Sequence, residues 1–240
     1  MPEPHEPVDV VFTSPHPDDL EILCGGAIAK LAEQGYRVAM VHMTTGEPTP
    51  QGSEDRRRAE AARAAEVLGA AAMEILELPN RELMDCPPNR YVVATALRRY
   101  RPKVVVTMAG RTPLASPDHW QGELLAESGT FYSRLTRWDD RFAGTTPHSV
   151  GHLVYRPIPR SLGTVTWPTS FVVDITQTLQ KKLDAVACYE SQFGPERLER
   201  IHHWIRSIAG VEGSVAGFAF GEQYYLPRAL GTQDMVALLG

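Results

Sequence analysis

Short apolar runs alternate along the chain with longer segments of helical periodicity, and this alternation most constrains the fold. The predicted strands are 8–13, 37–43, 73–78 and 103–108, and the predicted helices are 22–34, 53–69 and 91–101. Strands that alternate with helices of about 12 residues build right-handed βαβ units, which place the strands parallel in one sheet. The first half of the chain therefore predicts an α/β protein with a mostly parallel sheet.

After residue 150 the alternation becomes less regular. The pattern predicts strands at 151–155 and 170–174 and a helix at 176–190, with a proline- and glycine-rich loop between the two strands. No polar linker and no internal repeat marks a second domain. We therefore predict a Rossmann-like, mostly parallel sheet flanked by helices, in one domain over residues 1–240. Its core is expected at about 8–225, with an elaborated C-terminal part.

Charge and cysteine usage exclude several classes of protein. A net charge of −5 leaves no general basic surface for nucleic acid. Cys24, Cys86 and Cys188 are far apart and form no CxxC pair, which is typical of reduced thiols in a reducing compartment. No apolar run approaches the roughly 18 residues of a membrane span, and the acidic, proline-rich start is no secretory signal. We expect a cytoplasmic protein that binds neither nucleic acid nor membrane.

Chemically active side chains follow the first predicted strand. His16, Asp18 and Asp19 lie within four positions, and a proline stands on each side of His16. Ligands of open α/β sheets bind beyond the carboxyl ends of the strands, where Asp118 and His119 also fall. Histidine and aspartate are zinc ligands, and a catalytic zinc with three protein ligands keeps a fourth position for water. One of the two adjacent aspartates would then remain unbound to the metal and could serve as a general base.

Two other interpretations of this loop are open from the residues alone. An aspartate in such a turn often only caps the following helix. Two neighbouring acids also suit magnesium in a phosphoryl-transfer enzyme, although the chain has no Walker A sequence. Gly25 and Gly26 do not complete a GxGxxG fingerprint, and we predict that they allow close packing of helix on sheet.

Several short motifs occur with the spacing of one enzyme family. They are PHPDD at 15–19 with GG at 25–26, TGE at 45–47, RxxE…AAxxLG at 57–69, RPKVV at 101–105, PDH at 117–119 and KxxAxxxYxSQ at 182–192. Together they resemble the PIG-L (LmbE-like) zinc de-N-acetylases over about residues 8–225. The resemblance implies hydrolysis of the N-acetyl group of an N-acetylglucosamine-type amino-sugar conjugate.

The same resemblance implies roles for individual residues. His16, Asp19 and His119 correspond to the zinc ligands, Asp18 to the general base, and Arg57 to an anchor for an anionic or hydroxyl-rich part of the substrate. Iron, cobalt or nickel could occupy the same ligand set. The expected partner is a small-molecule amino-sugar conjugate, and a homo-oligomer is expected because relatives often form symmetric assemblies.

One departure from the family concerns the proton donor. Ser116 stands where the family pattern has a histidine that, with Asp118, stabilises the oxyanion and protonates the leaving amine. Ser116 and Asp118 are therefore predicted to contact substrate, but serine cannot carry a positive charge near neutral pH. A protonated Asp18, His148 or His152 is the alternative donor, and loss of activity is a further alternative.

Two other functions compete with sugar deacetylation. One is a zinc amidase acting on another acylated amine, such as a secondary metabolite or a lipid conjugate. The other is a non-catalytic sugar-binding protein. The aromatic residues of 218–225 are interpreted as packing of the C-terminal segment, with stacking on a sugar ring as the alternative.

Overall fold

The computed structural model describes residues 6–111, 115–159 and 169–231 and residue 233. The helices and strands within these residues are β1 (Val10–Ser14), α1 (Asp19–Glu33), β2 (Val38–His42), α2 (Glu54–Leu68), β3 (Ala72–Ile75), α3 (Pro87–Tyr100), β4 (Val104–Ala109), α4 (Asp118–Tyr132), β5 (His152–Pro157), β6 (Thr169–Asp174), α5 (Leu179–Ala187), α6 (Pro195–Ser214) and β7 (Gly221–Leu226). A 3₁₀ turn covers Asp139–Phe142. Among the described residues, no helix is long and apolar enough to cross a membrane.

The strands form one seven-stranded sheet in the order β3-β2-β1-β4-β5-β7-β6. Neighbours from β3 to β5 are parallel, whereas β7 runs antiparallel to both β5 and β6. The predicted Rossmann-like, mostly parallel α/β fold is thus confirmed. The chain order reverses between β1 and β4, and the crevice beyond their carboxyl ends is where such sheets bind ligands.

Alternate residues of the strands enter two separate apolar clusters. Phe12 and Met40 belong to one cluster, with side chains from α1, α2 and α5, while Val11 and Val41 belong to the other, with side chains from α3 and α4. Because successive strand side chains point to opposite faces, the two clusters are the two faces of the sheet. Cys24 is fully buried in the first cluster.

Helix α2 begins and ends where its sequence indicates. The Ser53 hydroxyl accepts a hydrogen bond from the Arg56 amide at 3.3 Å, which satisfies one of the free amides of the first turn. At the other end, Gly69 adopts a left-handed φ of 74° and its amide bonds to carbonyls of the last turn. These caps set the position of Arg57, one turn inside the helix.

Helices α4 and α6 and strand β7 are absent from the sequence-based prediction. Helix α4 contains Gly122 and Gly129, which lower helix propensity, but a β-carbon at Gly122 would lie 2.5 Å from Pro15 Cγ, so the helix needs a glycine to pack there. Strand β7 is missed because its sequence, GEQYYL, carries a charged residue in its interior. That residue, Glu222, is buried and hydrogen-bonded.

Glu222 joins three elements in the interior of the molecule. Its carboxylate accepts hydrogen bonds from the amides of Gly26 at 2.9 Å and Ala27 at 3.0 Å, and from Lys182 Nζ at 2.6 Å. Gly26 also lies against Ile175, since an added β-carbon would be 2.7 Å from Ile175 Cβ. Gly26 supports the predicted packing of helix on sheet, because its amide bonds to Glu222 of β7 and it lies against Ile175, the residue after β6. Gly25 lies against α5 instead, where an added β-carbon would be 3.0 Å from Lys182 Cγ.

Candidate active site

The loop after β1 has an unusual backbone conformation. Asp18 adopts a left-handed φ of 98°, which costs a non-glycine residue about 1–3 kcal/mol. The Asp18 amide donates to Glu21 Oε2 at 3.1 Å, and α1 begins at the next residue. The Ser14 hydroxyl donates to the carbonyl of His16 at 2.9 Å. These contacts hold a strained loop, and such strain is typical of functional sites.

His16, Asp19 and His119 converge at the crevice between β1 and β4. One ligand atom from each lies within 4.8 Å of the other two. The Asp19 carboxylate is 3.3 Å from His16 Nδ1 through one oxygen and 3.3 Å from His119 Nε2 through the other. Two imidazoles and a carboxylate are donors of the kind that hold catalytic zinc. The arrangement therefore fits the metal that the sequence predicts.

Asp118 lies behind His16, and among the described residues it is not part of the cavity lining. It is buried, and its Oδ2 is 3.1 Å from His16 Nε2 and accepts the Arg81 amide at 2.7 Å. With Nε2 bound in this way, Nδ1 is the nitrogen of His16 that faces Asp19. A carboxylate that fixes the ring of a metal-binding histidine is the usual arrangement in zinc sites. The geometry thus places Asp118 against a predicted ligand.

Arg57 reaches the site from α2. Its side chain is only 3% exposed, and Nη2 lies 3.0 Å from Asp18 Oδ2 and also donates to the Pro17 carbonyl. Burial raises the pKa of Asp18 to about 6, against the opposing effect of the Arg57 guanidinium. Arg57 lines the cavity as well, but its observed partner is the predicted general base.

The motif segments of α2 and the C-terminal half meet beneath this loop. The Arg57 guanidinium lies 5.2 Å from the centre of the Tyr189 ring, whose hydroxyl donates to Glu21 Oε1 at 2.6 Å. Glu60 accepts the Ser191 amide at 2.9 Å and the Ser191 hydroxyl at 2.5 Å. The motifs at 57–69 and 182–192 were the only sequence signal for these contacts. The contacts connect the Asp18 loop to both of these segments.

A cavity of about 560 Å³ opens over the three candidate ligands. Ser116 lines it, and its Oγ accepts the Asp118 amide at 3.3 Å. Asn80 also lines it. Its Nδ2 donates to the Glu47 carbonyl at 2.9 Å, while its buried Oδ1 has no hydrogen-bond partner among the described residues. The wall that sequence reasoning missed comes from α6 and the turn before it, and consists of Phe193, Arg197, Arg200, Ile201 and Trp204.

The alternative proton donors lie elsewhere. His152 pairs with Val104 at the amino ends of β5 and β4, and the candidate ligands lie beyond the carboxyl end of β4. His148 Nε2 lies 2.8 Å from the carbonyl oxygen of Pro102, a residue of the loop that leads into β4. The proposal that either histidine replaces the missing family histidine is therefore wrong, because both lie at the opposite edge of the sheet.

The aromatic cluster of the C-terminal segment also lies away from the cavity. Tyr224 is buried in the core, and its ring stacks on Phe171 with 5.7 Å between the centres. The packing interpretation holds for Phe220 and Tyr224, whereas Phe218 is exposed. The described aromatic side chains that line the cavity are Phe193 and Trp204.

Comparison with known proteins identifies the family. The sequence pattern of PIG-L, described as GlcNAc-PI de-N-acetylase, matches residues 11–128. The diacetylchitobiose deacetylase of Thermococcus kodakarensis is 30% identical over 223 residues, which cover 89% of this chain and 80% of that protein. The chain belongs to the PIG-L (LmbE-like) family of de-N-acetylases. PIG-L proteins of this kind are metal-dependent hydrolases, and this chain is an enzyme of that class.

Two further relatives extend the comparison. The N,N'-diacetylchitobiose deacetylase from Pyrococcus horikoshii superimposes with a TM-score of 0.78 at 28% identity, over 91% of this chain and 83% of that chain. The 4-oxalmesaconate hydratase of Pseudomonas putida is 28% identical over 76% of this chain and 73% of its own length. A relative of this chain is thus named as a hydratase and not as a deacetylase.

Proposed function

We propose that this chain is a zinc-dependent hydrolase that removes the N-acetyl group from an N-acetylglucosamine-type sugar conjugate. The observation that carries the proposal is the meeting of His16, Asp19 and His119 within 4.8 Å, beside Asp18, whose carboxylate is held by Arg57. Zinc bound by these three side chains would lower the pKa of a water molecule and polarise the acetyl carbonyl.

Asp18 is the proposed general base. Its carboxylate accepts a proton from the attacking water, whose oxygen bonds to the acetyl carbonyl carbon. The carbon–nitrogen bond then breaks, and the proton moves from Asp18 to the departing amine, which leaves acetate and a free amino sugar. Asp18 carries the proton in both directions because His148 and His152 lie at the other edge of the sheet.

Two neighbours assist Asp18 and the ligands. Ser116 lines the cavity, and its hydroxyl hydrogen is available to donate to the carbonyl oxygen as negative charge develops there. Asp118 acts as a positioning residue, because its contact with His16 Nε2 at 3.1 Å orients the ring. We therefore replace the predicted substrate contact of Asp118 with support of a ligand.

The names of the relatives and the cavity support an acetamido sugar as substrate. Two relatives of this chain are named as diacetylchitobiose deacetylases. The buried, unpartnered Oδ1 of Asn80 suits a sugar hydroxyl or an amide N–H as donor. A single domain over 1–240, a homo-oligomer and a cytoplasmic location complete the proposal. The free thiols Cys24, Cys86 and Cys188 are consistent with that location.

Acetate release from a panel of substrates tests this proposal. Zinc-loaded protein is incubated with N,N'-diacetylchitobiose, N-acetylglucosamine and an N-acetylated non-sugar amine, beside the Asp18→Asn variant. We expect the wild type alone to release acetate, and only from the sugars. Equal turnover by Asp18→Asn would remove Asp18 from the mechanism, and turnover of the non-sugar amine alone would favour the amidase alternative.

Hydration of an unsaturated acid is the second candidate. The guanidinium groups of Arg81, Arg197 and Arg200 in the cavity favour it, since such groups suit a carboxylate-rich substrate. The relative named 4-oxalmesaconate hydratase shows that this fold supports water addition. Consumption of 4-oxalmesaconate, without acetate release from any sugar, would decide for hydration and against deacetylation.

A further inference from the structure

Asp18, the proposed general base, is held at two of its atoms by different parts of the chain. Its amide donates to Glu21 Oε2 at 3.1 Å, and its carboxylate Oδ2 lies 3.0 Å from Nη2 of Arg57. The residue adopts a left-handed φ of 98°, a conformation that a non-glycine residue keeps only where its surroundings fix it. The groups that hold these two atoms therefore determine where the carboxylate points.

Tyr189 connects the two groups that hold Asp18. Its hydroxyl donates to Glu21 Oε1 at 2.6 Å, and the centre of its ring lies 5.2 Å from the Arg57 guanidinium. Glu21 and Tyr189 are both 0% exposed, so these contacts are shielded from water. The four residues thus form a closed ring of contacts that starts at the Asp18 amide and returns to the Asp18 carboxylate.

Capping of helix α1 does not account for this ring. A glutamate at the third position of a helix commonly accepts the amide of the residue before the helix, as Glu21 does here. Such a cap makes no demand on a distant part of the chain. Glu21 nevertheless receives the hydroxyl of a residue 168 positions away. The contact with Tyr189 therefore does more than start α1.

Helix α2 fixes both sides of the contact between Arg57 and Tyr189. Arg57 lies on α2, and Glu60, one turn later on the same helix, accepts the amide of Ser191 at 2.9 Å. Ser191 follows Tyr189 by two residues. Its bond to Glu60 therefore anchors the segment that carries the tyrosine to the helix that carries the arginine.

We propose that Glu21 and Tyr189 are positioning residues that hold the carboxylate of Asp18 against the water that it deprotonates. Neither side chain is among the described residues that line the cavity, so both act through Asp18 and not on the substrate. Without the tyrosine hydroxyl, Glu21 is a less fixed acceptor for the Asp18 amide, and the carboxylate samples positions from which proton transfer is slower. The role assigned to both residues rests on the proposed function of Asp18 as general base.

Tyr189→Phe tests the ring of contacts, because it removes one hydroxyl and keeps the aromatic face beside Arg57. Tyr224→Phe is the matched control. Tyr224 is a second buried tyrosine, its hydroxyl donates to the Glu222 carboxylate at 2.7 Å, and its ring centre lies 5.8 Å from the Arg156 guanidinium. The two substitutions thus remove the same kind of bond from the same kind of surroundings, but Tyr224 is not among the described cavity-lining residues.

Kinetics of acetate release separate positioning from stability. With N,N'-diacetylchitobiose and saturating zinc, Tyr189→Phe should lower kcat about tenfold or more, with KM and the zinc dissociation constant within about twofold of wild type. Tyr224→Phe should leave kcat within about twofold of wild type, although urea titration should show a comparable loss of stability in both variants. Wild-type kcat in Tyr189→Phe, or an equal loss of kcat in Tyr224→Phe, overturns the proposal.

Glu21→Gln tests whether the position of this side chain or its charge matters. Glutamine can accept the Asp18 amide through its carbonyl oxygen and donate to the Tyr189 oxygen through its amide nitrogen. We therefore expect kcat within about threefold of wild type for Glu21→Gln and a loss of about tenfold or more for Glu21→Ala. A loss in Glu21→Gln as large as that in Glu21→Ala overturns the positioning role, because glutamine keeps the geometry.

Hydrogen exchange tests the same contacts without turnover. Residues 15–19 include two prolines, so this segment has only three exchangeable backbone amides, of which one belongs to Asp18. In zinc-loaded protein, Tyr189→Phe should speed exchange in the segment about tenfold, whereas Tyr224→Phe should leave it unchanged. Mass spectrometry of overlapping peptic fragments measures the exchange.

The two readouts distinguish the positioning role from the proposed function. If the wild type releases no acetate, deacetylation is rejected, and faster exchange in Tyr189→Phe alone still supports the hold on Asp18. If the wild type releases acetate while Tyr189→Phe changes neither kcat nor exchange, the positioning role is rejected and deacetylation stands.

Discussion

The His16 ring is held from two sides. Its Nε2 faces Asp118 at 3.1 Å, and its Nδ1 faces Asp19 at 3.3 Å. This geometry fixes which nitrogen is available to a metal, because a carboxylate on the far nitrogen keeps the proton there. Motif spacing alone placed Asp118 beside a ligand in sequence, but it could not distinguish a contact with substrate from a contact with His16.

Substitution of Asp118 by asparagine tests this support. Without the carboxylate, the ring of His16 is less firmly oriented, and zinc affinity should fall about 10–100-fold. Competition with a chelating dye measures the dissociation constant. Asp85→Asn is the control, since Asp85 binds Arg90 at 2.6 Å and is not among the described cavity-lining residues. Unchanged zinc affinity in Asp118→Asn would contradict the positioning role.

Arg57 has two candidate roles that kinetics can separate. If it positions Asp18, Arg57→Lys should lower kcat about tenfold or more with little change in KM, because the shorter lysine side chain does not carry its donor to the Asp18 and Pro17 oxygens that Nη2 contacts. If it anchors substrate, as the sequence predicted, KM should rise while kcat is retained. Steady-state kinetics of acetate release on N,N'-diacetylchitobiose decide between the two.

At the scale of elements, Glu222 connects β7 to α1 and α5. Its carboxylate and Lys182 Nζ are both buried and lie 2.6 Å apart. Glu222→Ala should lower the free energy of unfolding by about 3–5 kcal/mol, because it leaves a buried ammonium without its partner. The matched control is Glu33→Ala, since Glu33 pairs at 2.7 Å with the adjacent Lys181 on the surface. That exposed pair should contribute at most about 1 kcal/mol.

The same carboxylate predicts a pH dependence of stability. Burial by itself raises the pKa of Glu222, but Lys182 and Arg156 outweigh burial and hold the pKa below its ordinary 4.5. Its stabilising contribution is therefore complete above the unfolded pKa of about 4.3 and is lost as pH falls through the folded value. The difference in unfolding free energy between wild type and Glu222→Gln should be constant from about pH 5 to 7 and shrink in more acidic solution. Urea titrations at several pH values measure it, and a difference that grows on acidification would contradict this account.

The parallel half of the sheet could be predicted because its signals are local. Alternating strand and helix patterns located β1 to β4, and the caps Ser53 and Gly69 located α2. Helix α4 and strand β7 could not be predicted in this way, because Gly122 and Glu222 violate local propensity and are explained only by partners distant in sequence. The cavity wall of α6 was missed for a similar reason, since no local pattern shows what a helix face will cover.

For the whole molecule, the topology explains why one site collects residues from distant parts of the chain. Strands β1 and β4 are neighbours, so the loops at 15–18 and 115–117 meet at one crevice and bring His16 and Asp19 to His119. The motif resemblance identified these three residues because it covers both loops. It did not reveal the occupant of the cavity, because Ser116 and the arginines of α6 lie outside the matching motifs.

The central claim is that a metal held by His16, Asp19 and His119 enables Asp18 to drive deacetylation. The most direct test titrates metal-stripped protein with Zn²⁺ and records bound metal and acetate release from N,N'-diacetylchitobiose in the same samples. We predict that activity rises with occupancy and saturates at one zinc per chain. Asp18→Asn should bind zinc equally and release no acetate, and His119→Ala should lose both. Acetate release that is independent of zinc, or full zinc binding by His119→Ala, would contradict the account.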